Sequence, residues 1–194
     1  MMNKIIEYYN SYNEDNRLKS KTHLPEYLIT MKYIKKYLTP NSKILEIGAG
    51  TGRYSIALAD MGYDITSVEL VPHNIEILKS KIKTEHKIKV FEGNACDLSF
   101  IEDNTYDIVL LLGPMYHLFN DSDKHKALSE AIRVTKKGGV IYSAYCNNDT
   151  VIYKMFYKKR ILDYIDKGLI DDNFHACSSP NEIFALYRKS DIDK

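Results

Sequence analysis

The spacing of apolar residues changes several times along the chain, and the changes mark its elements. From Leu24 to Leu38, the residues Leu24, Tyr27, Leu28, Met31, Ile34 and Leu38 recur three or four positions apart. Lys32, Lys35 and Lys36 face away, so the segment predicts an amphipathic helix, ended by Thr39-Pro40-Asn41-Ser42. A first strand follows from Lys43 to Ile47, then a glycine-rich turn from Gly48 to Gly52 and a helix from about Arg53 to Gly62. A second strand runs from Ile65 to Glu69, and Pro72 suits the first turn of a helix reaching about Lys83. A third strand is expected from Ile88 to Phe91 and a fourth from Tyr106 to Leu112, an apolar run typical of a sheet covered on both faces. A helix from about Asp121 to Lys136 is expected to stop at Gly138-Gly139, and a fifth strand to run from Val140 to Tyr145. Two more helices are expected: one from Val151 to Ile165, and one opened by the capping box Ser179-Pro180-Asn181-Glu182 and running through Ile183, Phe184, Leu186 and Tyr187.

Strands alternating with helices predict the α/β class, a Rossmann-like, doubly wound parallel sheet. No internal repeat or low-complexity linker divides the chain. Residues 1–40 read as an N-terminal helical extension and residues 41–194 as one globular unit, a size that buries a substantial core.

Composition narrows the function class. The longest aliphatic run, Ile108 to Leu112, is far short of the roughly 20 residues a membrane span needs. The first residues lack the apolar block of a signal peptide, so a cytoplasmic protein without membrane contact is expected. Cys96, Cys146 and Cys177 are far apart, which predicts reduced thiols and no metal site. A net charge of +1 argues against nucleic acid as the partner. The cluster Lys154, Lys158, Lys159 and Arg160 reads as a solvated helix face.

The chemistry concentrates in Glu46-Ile47-Gly48-Ala49-Gly50-Thr51-Gly52. Glycines let the backbone take positive φ and let a ligand lie against it, and free amides at the following helix start meet carboxylate or phosphate. The dinucleotide fingerprint G-x-G-x-x-G would need glycine at 53, where the chain has Arg53. Glu46, two residues before the first glycine, suits an ammonium and would repel a pyrophosphate. This favours S-adenosylmethionine (SAM), whose tail is an amino acid, over a nicotinamide cofactor. Glu69 closes the second strand, where an acid can accept from both ribose hydroxyls. Beyond the third strand, Asn94-Ala95-Cys96-Asp97 offers an adenine turn: Asp97 to accept from the exocyclic amine, the backbone near Cys96 for the ring nitrogens, and Leu70 on the ring face.

As a set, these segments resemble the class I SAM-dependent methyltransferases, most strongly over residues 40–146. Glu46-x-Gly48-x-Gly50-x-Gly52 is similar to their first motif, and Ala131 to Gly139 to their R-V-L-K-P-G-G stretch, with Lys137 where proline is usual. The resemblance implies a five-strand order 3-2-1-4-5, SAM as methyl donor with S-adenosylhomocysteine (SAH) as product, no metal, and a small-molecule acceptor. It implies cofactor contacts from Glu46, Gly48, Ala49, Gly50, Gly52, Glu69, Leu70, Asn94, Ala95, Cys96, Asp97, Leu112 and Gly113. It also implies that the N-terminal extension folds over the cofactor as a lid, bringing Tyr9 and Arg17 to it, with Tyr8 and Tyr12 nearby.

After the fourth strand stands Gly113-Pro114-Met115-Tyr116-His117, not the Asn/Asp-Pro-Pro-Tyr of DNA and glutamine methylating members. His117, with Tyr116, is the candidate catalytic pair, His117 as the base that takes a proton from the acceptor. The family's usual sheet ends in an antiparallel hairpin, for which no strand signal follows Tyr187. Five parallel strands without that hairpin are therefore expected, with the edge of the fifth strand covered by a second copy of the chain. A truncated or non-catalytic SAM-binding protein is the alternative that this shortness suggests.

Overall fold

The computed structural model describes residues 2–12, 14–17, 20–176 and 183–192. Helices α1 (Met2–Ser11), α2 (Glu14–Arg17) and α3 (Leu24–Tyr37) precede the sheet. Then come β1 (Lys43–Ile47), α4 (Arg53–Ala59), β2 (Asp64–Glu69), α5 (Pro72–Ser80), β3 (Lys87–Glu92) and β4 (Tyr106–Leu111). A 3₁₀ turn (Pro114–His117) leads to α6 (Asp121–Val134) and β5 (Thr135–Ser143). The chain continues through β6 (Cys146–Asn147), α7 (Asn148–Tyr157), α8 (Ile161–Asp166), β7 (Leu186–Tyr187) and α9 (Lys189–Ile192).

The main sheet is parallel throughout, in the order β3-β2-β1-β4-β5. Side-chain alternation along its strands separates two cores. Leu45, Ile47, Val109 and Leu111 pack with Ala127, Ala131 and Val134 of α6. Ile44, Ile65, Ile108 and Leu110 pack on the other face with Met31, Ile34 and Leu58 of α3 and α4. Helices on both faces explain why β1 and β4 carry nearly continuous apolar runs.

Three boundaries differ from expectation. The fifth strand starts at Thr135 rather than Val140, and Gly138-Gly139 lie inside it instead of stopping α6. Thr135 is already extended (ψ 133°). The glycines form an irregularity opposite Asp107, where a Cβ on Gly139 would sit 2.9 Å from the Asp107 carbonyl oxygen. The helix expected from Val151 to Ile165 is two helices, broken where Lys159 turns to φ 55°.

The third difference concerns the end of the chain. The capping box at 179–182, like Cys177, lies outside the described residues. No helix runs through Ile183, Phe184, Leu186 and Tyr187: Leu186 and Tyr187 pair in parallel with Cys146 and Asn147. Tertiary hydrogen bonds override the local pattern there, because Ala185 N donates to the Tyr116 carbonyl (2.7 Å) and the Ile183 carbonyl accepts from His117 (2.8 Å). A two-stranded addition is thus present, contrary to the expectation of no strand after the fifth, but it is parallel and separate from the main sheet. Among the described residues β5 pairs on one side only, with β4.

Candidate active site

A cavity of about 420 Å³ opens at the carboxyl ends of the strands, where ligands bind in open parallel sheets. Its floor is the turn after β1. Gly48 N and Ala49 N both donate to the Val68 carbonyl (2.8 and 3.1 Å), which ties the turn to β2. Gly48 has φ 74°, and a Cβ there would lie 2.7 Å from Pro114 Cδ, so this position requires glycine twice over.

Two buried carboxylates flank the turn. Glu46 faces α4: its Oε2 accepts from Ser55 N (2.9 Å) and from the Ser55 hydroxyl, which also meets Ser67 Oγ (2.7 Å). Burial pushes its pKa up to about 8 against the pull of the Ser55 bonds. Glu69 accepts from Gly50 N (2.7 Å), Val71 N (2.9 Å) and Asn74 Nδ2 (3.4 Å). Its pKa is also raised, by burial, with the amide bonds opposing.

The turn after β3 supplies Asn94, Ala95 and Cys96 to the wall, and Leu70 adds an apolar surface. Asn94 Oδ1 accepts from Cys96 N (3.0 Å), and α6 braces the turn through Glu130, which accepts from Leu98 N (2.6 Å). Asp97 does not line the cavity. It is exposed, its Oδ1 accepts from Ser99 N (3.1 Å), and that bonding lowers its pKa. Gly52 is also outside the wall: it packs under α5, where a Cβ would be 2.7 Å from Leu78 Cγ. The remaining expected positions line the space: Ala49 and Gly50 in the turn, Leu112 and Gly113 after β4, Arg17 of α2, and Tyr116, His117 and Tyr9 around a second end.

That second end is assembled from distant parts of the chain. His117 is buried; its Nδ1 lies 2.8 Å from the Ile183 carbonyl and its Nε2 3.0 Å from the Tyr9 hydroxyl. A carbonyl only accepts, so Nδ1 carries the hydrogen and Nε2 presents a lone pair to the Tyr9 O–H. Burial lowers the imidazole pKa, with the Ile183 bond opposing, and so favours this neutral form. Burial raises the pKa of both Tyr9 and Tyr116, which keeps both phenols protonated. Phe184 packs against the imidazole, ring centres 5.3 Å apart.

The N-terminal helices α1 and α2 contribute Ile5, Tyr9, Glu14 and Arg17 to the lining. Tyr8, Tyr9 and Tyr12 pack on one another, and of the three only Tyr9 lines the cavity. Arg17 is held by Glu14 (2.8 Å) and, through one nitrogen, by both oxygens of Glu26 (3.1 Å each). Asp15 accepts from Thr51 Oγ1 (3.2 Å) and from the Lys81 ammonium, and Lys81 also donates to the Thr51 carbonyl (2.8 Å). Sequence reading missed Asp15, Lys81 and Ile183, because nothing local marks a residue whose partner lies far along the chain. Among the described residues, no group of three or more His, Cys, Asp or Glu could hold a metal, and no helix is long and apolar enough to cross a membrane.

A family model described as a methyltransferase domain matches residues 44–139. A demethylmenaquinone methyltransferase from Staphylococcus haemolyticus is 29% identical over 74% of this chain and 62% of its own. A glycine/sarcosine N-methyltransferase from Aphanothece halophytica is 24% identical over 66% of this chain and 53% of its own. The chain therefore spans little more than half the length of these relatives. The crystal structure of PH0226 protein from Pyrococcus horikoshii superposes with a TM-score of 0.72, at 22% identity, over 96% of this chain and 86% of that one. Its sheet order, its glycine turn and the match over residues 44–139 make the chain similar to the class I SAM-dependent methyltransferases.

Proposed function

We propose that this chain transfers a methyl group from SAM to a small-molecule acceptor, with His117 as the base. The observation that carries the reading is one cavity with acid-flanked backbone at one end and a neutral, oriented imidazole at the other. When bound, SAM supplies a methyl group made electrophilic by its sulfonium. The residues fit that molecule. Glu46 suits the tail ammonium, Glu69 the ribose hydroxyls, and Asn94, Ala95, Cys96 and Leu70 an adenine; Tyr9 and Arg17 of residues 1–40 act as the lid.

The catalytic work assigned to the chain is orientation and proton removal. The Ile183 carbonyl fixes the ring so that the Nε2 lone pair faces the Tyr9 hydroxyl. An acceptor O–H or N–H that takes the place of the Tyr9 hydroxyl gives its proton to that nitrogen. Tyr116, half-buried beside the imidazole (ring centres 4.8 Å apart), narrows the space. A compact cavity of this kind favours a small acceptor over a polymer, and both relatives named above act on small molecules by their names. The experiment is incubation of the protein with methyl-labelled SAM and a fractionated cell extract. Label appearing in a low-molecular-mass fraction is the expected result. Binding of SAM with no label transferred to any fraction would favour a non-catalytic SAM-binding protein.

A further inference from the structure

The sheet and its flanking helices bury their apolar side chains in two cores, but α7 turns one apolar side outward. Tyr153, Phe156 and Tyr157 stand three and four positions apart, so they share one side of that helix. They are 72%, 68% and 79% exposed, and Leu162 of α8 is 70% exposed. Single exposed apolar residues are ordinary, whereas a cluster of large ones marks a contact surface. The same stretch is basic. Lys154 and Lys158, four positions apart, flank the aromatic side, and Lys159 and Arg160 follow at the turn between the helices. Arg160 lies 3.9 Å from Asp163. Among the described residues, Lys154, Lys158 and Lys159 have no acidic partner.

We propose that α7 and the turn after it dock on an anionic phospholipid bilayer, the rings at headgroup level and the lysines on the lipid phosphates. Aromatic rings settle at that level, and a lysine lays its alkyl stem along apolar surface while its ammonium reaches the polar layer. An apolar helix side flanked by lysines is the pattern of a helix lying in the interface plane. The expectation of no membrane contact rests on the lack of a span, and a peripheral contact needs none. Two other occupants fit less well. A second copy paired about a two-fold axis brings the same lysines face to face. A nucleic acid stacks on the rings and pairs with the lysines, but offers nothing to the aliphatic Leu162. Asp163 and Asp166 of α8 offset part of the charge, so the attraction comes from residues 154–160. The net charge of +1 on the whole chain conceals this local excess.

The test is co-sedimentation of the full chain with vesicles of phosphatidylcholine alone and of phosphatidylcholine mixed with phosphatidylglycerol. The wild-type protein is expected to bind the mixed vesicles roughly 30-fold or more tighter, with the difference shrinking as salt is added. Lys158→Gln combined with Lys159→Gln should weaken binding to the mixed vesicles by roughly 10- to 30-fold. Phe156→Ser combined with Tyr157→Ser should weaken it by about tenfold or more, through lost apolar contact. All four side chains are exposed and none lines the cavity, so both variants should melt like the wild type. Equal binding to the two kinds of vesicle, or binding to neither, would overturn the proposal, as would mixed-vesicle binding that both variants leave unchanged. A dimer in analytical ultracentrifugation that the aromatic variant dissociates would give the surface to a second copy instead. Binding to a single-stranded RNA oligonucleotide that the lysine variant abolishes, with no binding to mixed vesicles, would give it to nucleic acid.

Discussion

The two ends of the cavity are built by different means. The end formed by Glu46, the glycine turn and Glu69 belongs to a single β-α-β unit, and its polar contacts run largely to backbone amides fixed by the sheet. The end formed by Tyr9, His117 and Ile183 joins three remote segments, through hydrogen bonds spanning 108 and 66 residues. The first end is preorganised by local structure. The second exists only while the N-terminal helices and the C-terminal segment are both docked, and such peripheral segments open more readily than a sheet core. Binding and chemistry should therefore be separable by mutation.

The largest effect is expected from His117→Ala. Methyl transfer should fall by roughly 10²- to 10⁴-fold, the usual contribution of a general base, while SAH affinity stays within about threefold. Because burial lowers the His117 pKa, the wild-type rate should hold at neutral pH and decline only as pH falls below about 6.5. A transfer rate unchanged by the substitution would remove the imidazole from the chemistry and leave the two ends without a division of labour.

The next effect belongs to the other end. Glu69→Ala leaves the amides of Gly50 and Val71 without their acceptor. Each buried donor so stranded costs about 1–3 kcal/mol, so both the melting temperature and SAH affinity should fall, the latter by roughly 10- to 100-fold in calorimetry. If affinity held while stability fell, Glu69 would be structural only.

A smaller signal separates the two acids. With its pKa raised to about 8, Glu46 carries a proton at pH 7 in the free protein. Binding the tail ammonium should displace that proton, measured as a binding heat that varies with the ionisation enthalpy of the buffer, and Glu46→Gln should abolish the variation. The stability consequence has the opposite sign to the usual carboxylate. The folded pKa lies above the unfolded one, so this group favours folding at low pH and its contribution is lost as pH rises through about 8. Glu46→Gln should flatten the decline in melting temperature between pH 5 and 8. The smallest effect is expected of Asp97→Ala: its carboxylate points to Ser99, outside the cavity, and SAH affinity should change by less than about twofold. A larger loss would mean that the turn rearranges when ligand binds.

The same contrast explains what the sequence disclosed. The sheet order and the glycine turn are written in local patterns: apolar runs of strand length, glycines on alternate positions and a proline at a helix start. Glu46 and Glu69 were readable as cavity residues because they stand beside that turn. Asp97 was misleading, since an acid in an Asn- and Asp-rich turn satisfies its neighbours' amides as readily as a ligand. The break at Lys159 was invisible because the apolar spacing runs through it in helical phase. Ile183, Asp15 and Lys81 carry no local mark: one acts through its carbonyl and the others through each other. The strand at Leu186–Tyr187 is set by hydrogen bonds to the loop around His117, a tertiary cause that no periodicity anticipates.

The clasp between Asp15 and Lys81 has a kinetic consequence. It pins the N-terminal turn to the very loop on which a nucleoside would lie, with Glu14 and Arg17 lining the passage. On the lid reading proposed above, departure of the spent nucleoside requires this partly exposed ion pair to part, and dissolved ions weaken such pairs. Product escape should quicken with ionic strength, so added salt would speed turnover wherever release is the slow step, although the reacting groups themselves are shielded.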